Sequence, residues 1–187
     1  MQPPDIDRTR LNELYLYIAK KTRDEGHPGL GRIRIAKLLF LIDFGAYFRL
    51  GESVTGAHYV ADELGPAPTE ELLAIRDLAT QDRLTMEPGY DRQEIPVALD
   101  APNTDVFAPE QLEYIDHQIE RYKDFTGSQL VDVAHEYPGW IFARKHGGTK
   151  ADVPLESVFW SKRREPTAEE RAYASQLAEE FGLTVDG

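Results

Sequence analysis

Residues 32–49, RIRIAKLLFLIDFGAYFR, constrain the fold more than any other stretch of the chain. Ile35, Leu38, Leu39, Ile42 and Ala46 recur at helical spacing and make one stripe. Ile33, Phe40, Phe44 and Tyr47 widen that stripe well past one face. A helix that is apolar around most of its circumference must be packed on several sides. The rest of the chain therefore has to wrap it, and Gly51 supplies a stop signal at its end.

The flanking elements fit that requirement. Leu11, Leu14, Tyr15 and Ile18 predict an earlier amphipathic helix, separated from the central one by the turn-forming run DEGHPGLG at 24–31. Residues 53–61 hold Val54, Thr55, Tyr59 and Val60, which suits a short extended segment. Gly65-Pro66-Ala67-Pro68 reads as a rigid corner, because each proline pushes its predecessor out of helical geometry. A third helix opens at Pro68 or Thr69, with Glu70 and Glu71 compensating its dipole.

Leu84 and Met86 alternate before Pro88-Gly89-Tyr90, and Ile95, Val97 and Leu99 alternate after it, which predicts a hairpin. Leu112, Ile115, Ile119 and Tyr122 mark a fourth helix over about 109–123. Ser128 caps a short fifth helix that Pro138 ends. Residues 143–165 read as irregular. Thr167 and Glu170 form a capping box before a stripe of Tyr173, Ala174, Leu177 and Phe181, closed by Gly182. The expected class is α+β and mainly α-helical: about six helices, a small antiparallel hairpin element, one compact domain.

Composition narrows function. The 187 residues support one domain with a real core. There is no cysteine, so disulfides and thiolate chemistry are excluded. No apolar run is long enough to span a bilayer, and MQPPDIDRTR lacks the features of a signal peptide, which leads to a cytoplasmic expectation. The net charge of −12 is uneven: residues 1–50 hold nine Lys/Arg against six Asp/Glu, and the acid excess lies beyond them. An acidic body disfavours non-specific nucleic-acid binding and favours a basic partner; simple solubility also accounts for it.

Chemistry finds little footing. His27, His58, His117, His135 and His146 are scattered, and no helix carries two on one face, so no metal site is expected. Asp116-His117 and His135-Glu136 are the nearest approach to a functional pair. No serine-hydrolase elbow is present, and Gly29-Leu30-Gly31 lacks the strand and third glycine of a dinucleotide loop. Arg32, Arg34 and Lys37, with Arg144, Lys145, Lys150, Lys162, Arg163 and Arg164, form either a basic stripe or a latch onto the chain's own acids. Tyr59, Tyr90, Tyr137 and Trp140 sit in turns or extended pieces, where aromatic anchors for a partner are found.

Two blocks carry a resemblance. KLLFLIDFGAYFRLGESVTGAHYVADELGPAP, followed after about sixty residues by SQLVDVAHEYPGW, resembles the Panacea domain of SocA-like antitoxins and their phage-associated relatives. The pattern falls on Lys37, Leu38, Leu39, Asp43, Gly51, Thr55, Gly56, Tyr59, Gly65, Pro66, Pro68, Ser128, His135 and Trp140. It departs at Phe40-Leu41-Ile42 and Ala67. The resemblance covers 11–142, leaving 1–10 as a tail and 143–187 as an extension whose amphipathic helix packs on the domain. It implies an antitoxin that binds a toxin encoded beside it, with no catalytic residue and no cofactor. It also leaves room for a protease to which the toxin is delivered and for operator DNA. On this basis Tyr59, Gly65, Pro66, Pro68, His135, Tyr137 and Trp140 are the candidate partner-binding residues. Lys37, Leu38, Leu39, Asp43, Gly51 and Gly56 are assigned to shaping the fold, the better assignment for Gly65 and Pro66 as well.

Overall fold

The computed structural model describes residues 6–24, 30–89 and 93–160. In chain order the elements are α1 (Arg8–Asp24), α2 (Arg32–Leu50), β1 (Tyr59–Asp62), β2 (Gly65–Pro68), α3 (Glu71–Thr80), β3 (Leu84–Pro88), β4 (Glu94–Ala98), α4 (Pro109–Tyr122), α5 (Gly127–His135) and α6 (Pro138–Gly147). Short 3-10 turns cover Thr104–Val106 and Leu155–Phe159. Two two-stranded antiparallel sheets, β1–β2 and β3–β4, complete an α+β, mainly helical architecture. The expected tail helix, with Thr167, Glu170, Tyr173, Ala174, Leu177, Phe181 and Gly182, lies outside the described residues. So do His27, Tyr90 and the basic residues Lys162, Arg163 and Arg164.

The central helix is where its composition puts it. Every residue from Ile35 to Phe44 is buried, and α1, α4, α5, β2 and the Leu155–Phe159 turn all pack against α2. Burying each large apolar side chain here stabilises the fold by about 1.5–3 kcal/mol. Gly51 ends the helix at φ 84°, a left-handed value that a side chain would strain, and its N–H donates to Tyr47 O. On α1 the stripe Leu11, Leu14, Tyr15 and Ile18 is buried as its spacing predicts, and Asp7 Oδ1 accepts from the Arg10 N–H to cap the first turn.

Three local readings are corrected. Gly65–Pro68 is a strand, β2, rather than a corner: it pairs with β1 in the register Tyr59↔Pro68 to Asp62↔Gly65. Tyr59 and Ala61 turn their backbone groups the other way, toward Ala151 and Val153, so Val60 and Asp62 face Ala67 and Gly65. Pro66 and Pro68 then occupy the outward positions, where the ladder asks for no N–H. Next, Thr126 rather than Ser128 caps α5, its Oγ1 accepting from the Gln129 N–H. Finally, Pro138 opens a helix instead of ending one. It occupies the first turn of α6, where its missing N–H has no partner to lose. The expected boundary at 142 consequently falls inside α6, and residues 150–153 run back to add a bridge, Val60↔Asp152, beside β1.

The hairpin expected around residue 89 forms as β3–β4, with Gly89 N–H donating to Gln93 O. A bidentate ion pair ties it to α1: Arg83 donates to both oxygens of the buried Glu13, at 2.6 and 3.0 Å.

Candidate functional site

Two buried charges on α2, Asp43 and Lys37, organise everything around the β1–β2 hairpin. Asp43 is fully buried and accepts four hydrogen bonds: from Ser53 Oγ at 2.7 Å, Thr55 N at 2.8 Å, Thr55 Oγ1 at 2.6 Å and Tyr59 Oη at 2.7 Å. The donors are themselves fixed, since Ser53 Oγ accepts from the Gly56 N–H and Thr55 Oγ1 from the Ala57 N–H. Burial holds the Asp43 carboxyl above its ordinary range, and those hydrogen bonds pull it back down. This node pins the 51–59 loop to the helix. It also holds Tyr59, which is buried inside the molecule rather than in an exposed turn: its ring meets Phe40 and Phe44 edge-on at 5.6 and 5.4 Å. Tyr137 joins the same cluster, 4.8 Å from Phe40, and burial pushes its hydroxyl up to about 12.

Lys37 sits six residues earlier and faces the hairpin. It is buried, and among the described residues its hydrogen bond goes to Pro66 O at 2.7 Å, covering the carbonyl that the proline strand leaves open. Burial lowers its ammonium to about 8, against the opposing pull of Asp62 and Glu71. Glu71, at the start of α3, is 7% exposed, and burial raises its carboxyl. Its Oε1 receives no hydrogen bond; the nearest cation is Arg32 Nε at 3.4 Å. Asp62 pairs with Lys150, whose hydrogen bond holds the Asp62 carboxyl below its usual value.

These groups line a cavity of about 500 Å³ between α2, the hairpin and α3. Its walls include Ile33, Leu64 and Leu72, which are 46, 48 and 63% exposed. Arg32, Ile33 and Leu64 also border a second cavity of about 900 Å³ that reaches Thr126 and Ser128 at the start of α5. Leu64 occupies the two-residue turn of the hairpin, so its side chain is presented at the tip.

The predicted residues separate into two groups. Gly65, Pro66, Pro68, His135 and Trp140 converge on the hairpin. Trp140 Nε1 donates to Asp62 O at 3.1 Å, and His135 stacks on the Trp140 ring at 4.0 Å. Gly65 sits at φ 95°, where an added Cβ would press on Lys37, Ala134 and His135 at 3.3–3.4 Å. Gly65, Pro66 and Pro68 are themselves buried, so they shape the tip, while Leu64 stands exposed on it. Tyr59 and Tyr137 belong instead to the aromatic core. Asp116 is taken by Tyr17 and Lys21, and His135 by Trp140. The supposed basic stripe is dispersed: Arg32 pairs with Glu71 and Glu94, and Arg34 donates to Lys123 O. Among the described residues no group of His, Asp or Glu is placed to hold a metal ion.

Leu64 and Asp62 escaped the sequence reading, while Ile33, counted in the buried stripe of α2, and Leu72, turned inward by its helical spacing, are 46 and 63% exposed instead. The available signal was an apolar residue in a turn, Glu63-Leu64-Gly65, where solvent exposure disfavours one. Dipole compensation at the start of α3 accounts for Glu71 in the sequence, and its burial beside Lys37 is a property of packing.

A family model, Antitoxin SocA-like, Panacea domain, matches residues 35–141, and the chain belongs to this family. The matched span contains both α2 nodes, the hairpin, the start of α3 and the His135–Trp140 stack. No curated protein and no solved structure matches the chain. Among the described residues, no helix is long and apolar enough to cross a membrane.

Proposed function

We propose that this protein is an antitoxin that neutralises a toxin encoded beside it by direct binding in the cytoplasm, and that the hairpin tip is its contact surface. It makes and breaks no bond itself. One observation carries the reading. Ile33, Leu64 and Leu72 stand exposed around a cavity whose buried charges, Lys37 and Glu71, are only partly satisfied within the chain. Exposed apolar side chains grouped around a cavity with buried charges make an interface centre rather than a finished surface. The net charge of −12 favours a basic toxin and speeds its encounter.

Operator binding through a winged-helix arrangement is the weaker reading. It would use the basic start of α2, where Arg32 pairs with Glu71 and Glu94, Arg34 donates to Lys123 O and Lys37 donates to Pro66 O, and α3 beside it offers Arg76 against Glu71 and Asp77. That balance repels a phosphate backbone. Delivery of the toxin to a protease would use the same contact surface and is a later step.

Co-expression with the adjacent reading frame tests the proposal. The neighbour alone should arrest growth, and this chain should restore it and co-purify with the neighbour. Restored growth without a complex, or a neighbour with no effect on growth, would contradict direct neutralisation.

A further inference from the structure

A third cavity, of about 580 Å³, opens where the C-terminal half of α2 faces α4. It shares no lining residue with the two cavities at the hairpin. Its volume suits a small organic molecule. The walls are largely aromatic: Phe44 comes from α2, Tyr114 and Tyr122 from α4, and Tyr137 from the residue before α6.

Gly45 is part of the same wall. It lies inside α2, where alanine would serve a helix better. The close approach of α4 explains it, because a Cβ on Gly45 would collide with the Tyr114 hydroxyl. The phenol therefore rests against the backbone of α2.

The polar groups here differ from their counterparts elsewhere. Tyr17 and Tyr59 each donate to a carboxylate, and Arg8, Arg32 and Arg83 each hold an ion pair. Among the described residues, the hydroxyls of Tyr114, Tyr122 and Tyr137 make no hydrogen bond, and Arg49 and Arg121 form no ion pair. These groups are near enough to act on one another. Burial raises the Tyr114 hydroxyl, Tyr122 adds to that, and Arg121 and Arg49 pull it down. Burial also holds Tyr137 up, with Tyr122 and Tyr114 adding and Arg121 opposing. Glu110 and Glu113 border the cavity as exposed residues, and neither is among the charges that bear on these two phenols.

We propose that this cavity binds a small anionic aromatic molecule, a flat ring that carries one phosphate or carboxylate group. Guanidinium forks and phenol hydroxyls are donors without acceptors of their own, and such an anion supplies the acceptor. The ring packs on Phe44 and Tyr137, whose faces and edges favour another aromatic. Bound there, the molecule bridges α2 and α4 and stabilises the folded chain by mass action.

The test uses the full chain and the variant Arg49→Gln/Arg121→Gln, whose two positions are exposed. Naphthyl phosphate, naphthoate, uncharged naphthol and inorganic phosphate are titrated into each protein. Binding is read by calorimetry and by nuclear magnetic resonance of isotope-labelled tyrosine rings. The expected result is saturable binding of a naphthyl anion that shifts the rings of Tyr114, Tyr122 and Tyr137 together and raises the melting temperature. The tighter of the two anions identifies the charged group. Affinity should fall roughly tenfold or more in the arginine variant, and by as much for naphthol and for inorganic phosphate. The proposal is overturned if neither naphthyl anion shifts those rings, or if the folded arginine variant binds them unchanged. It is equally overturned if naphthol or inorganic phosphate binds the native chain as tightly as the naphthyl anions, a comparison that stands even where the variant loses its circular dichroism. No readout involves the toxin, so the outcome is independent of the hairpin surface.

Discussion

Asp43 and Lys37 lie on one helix, six residues and about 9 Å apart, and both are buried, yet they end in opposite conditions. Asp43 receives four hydrogen bonds from a loop whose own donors are tied down, and nothing around it is left open. Lys37 has a carbonyl on one side and a cavity on the other, with a glutamate oxygen nearby that receives no hydrogen bond. A buried polar group that is saturated fixes a fold. One that is half-satisfied beside a cavity invites a partner to complete it. The difference separates the end of α2 that is closed within the chain from the end that borders a cavity, although the family pattern runs through both.

The largest effect tests the saturated end. Asp43→Ala strands the donors of Ser53, Thr55 and Tyr59 and should cost about 3–5 kcal/mol in urea unfolding. A loss below about 1 kcal/mol would break the contrast by showing that the node holds nothing. Next comes the tip. Gly65→Ala places a Cβ at φ 95° against Lys37, Ala134 and His135 and should cost about 1–3 kcal/mol, with the rest of the fold retained.

Lys37 sharpens the comparison through pH. Its ammonium titrates at about 8 in the folded chain, below its ordinary 10.5. Between those values the unfolded chain keeps a proton that the folded chain has released. The Lys37 contribution to stability therefore rises as pH climbs through that window, by up to about 3 kcal/mol. Lys37→Met lacks this slope. Urea midpoints of the two proteins at pH 7.5 and 10 should show the native chain gaining on the variant; a constant gap would mean that the amine is not desolvated.

Much of this fold is legible in the sequence where one periodicity acts alone. The all-round apolar pattern of 32–49 places α2 at the centre, Gly51 stops it, and the alternation of Leu84 and Met86 against Ile95 and Val97 gives β3–β4. Illegible parts are those where a neighbour decides. Pro66 and Pro68 look like a corner because proline removes ladder donors, and only the pairing with β1 puts both on the outward side. Pro138 looks like a stop because a helix precedes it, yet it serves equally as a first residue. Tyr59 looks like an exposed anchor because its partner is a carboxylate sixteen residues earlier, on another element. The site was half legible: its frame of Gly65, Pro66, His135 and Trp140 stands out as a pattern. Leu64 and Leu72 do not, since their importance comes from exposure beside Lys37 and Glu71, which is a property of packing.

The smallest effect on stability belongs to the most decisive substitution. Leu64→Glu/Leu72→Glu alters two solvent-facing side chains and should change folding stability by no more than about 0.5 kcal/mol. Binding of the purified variant to the neighbouring gene's product should nonetheless weaken by roughly 10- to 100-fold. Titration calorimetry against that product, with melting temperature measured alongside, tests the central claim most directly. Lost affinity at unchanged melting is the predicted result; unchanged affinity at unchanged melting would contradict the assignment of the hairpin tip as the surface that grips the toxin.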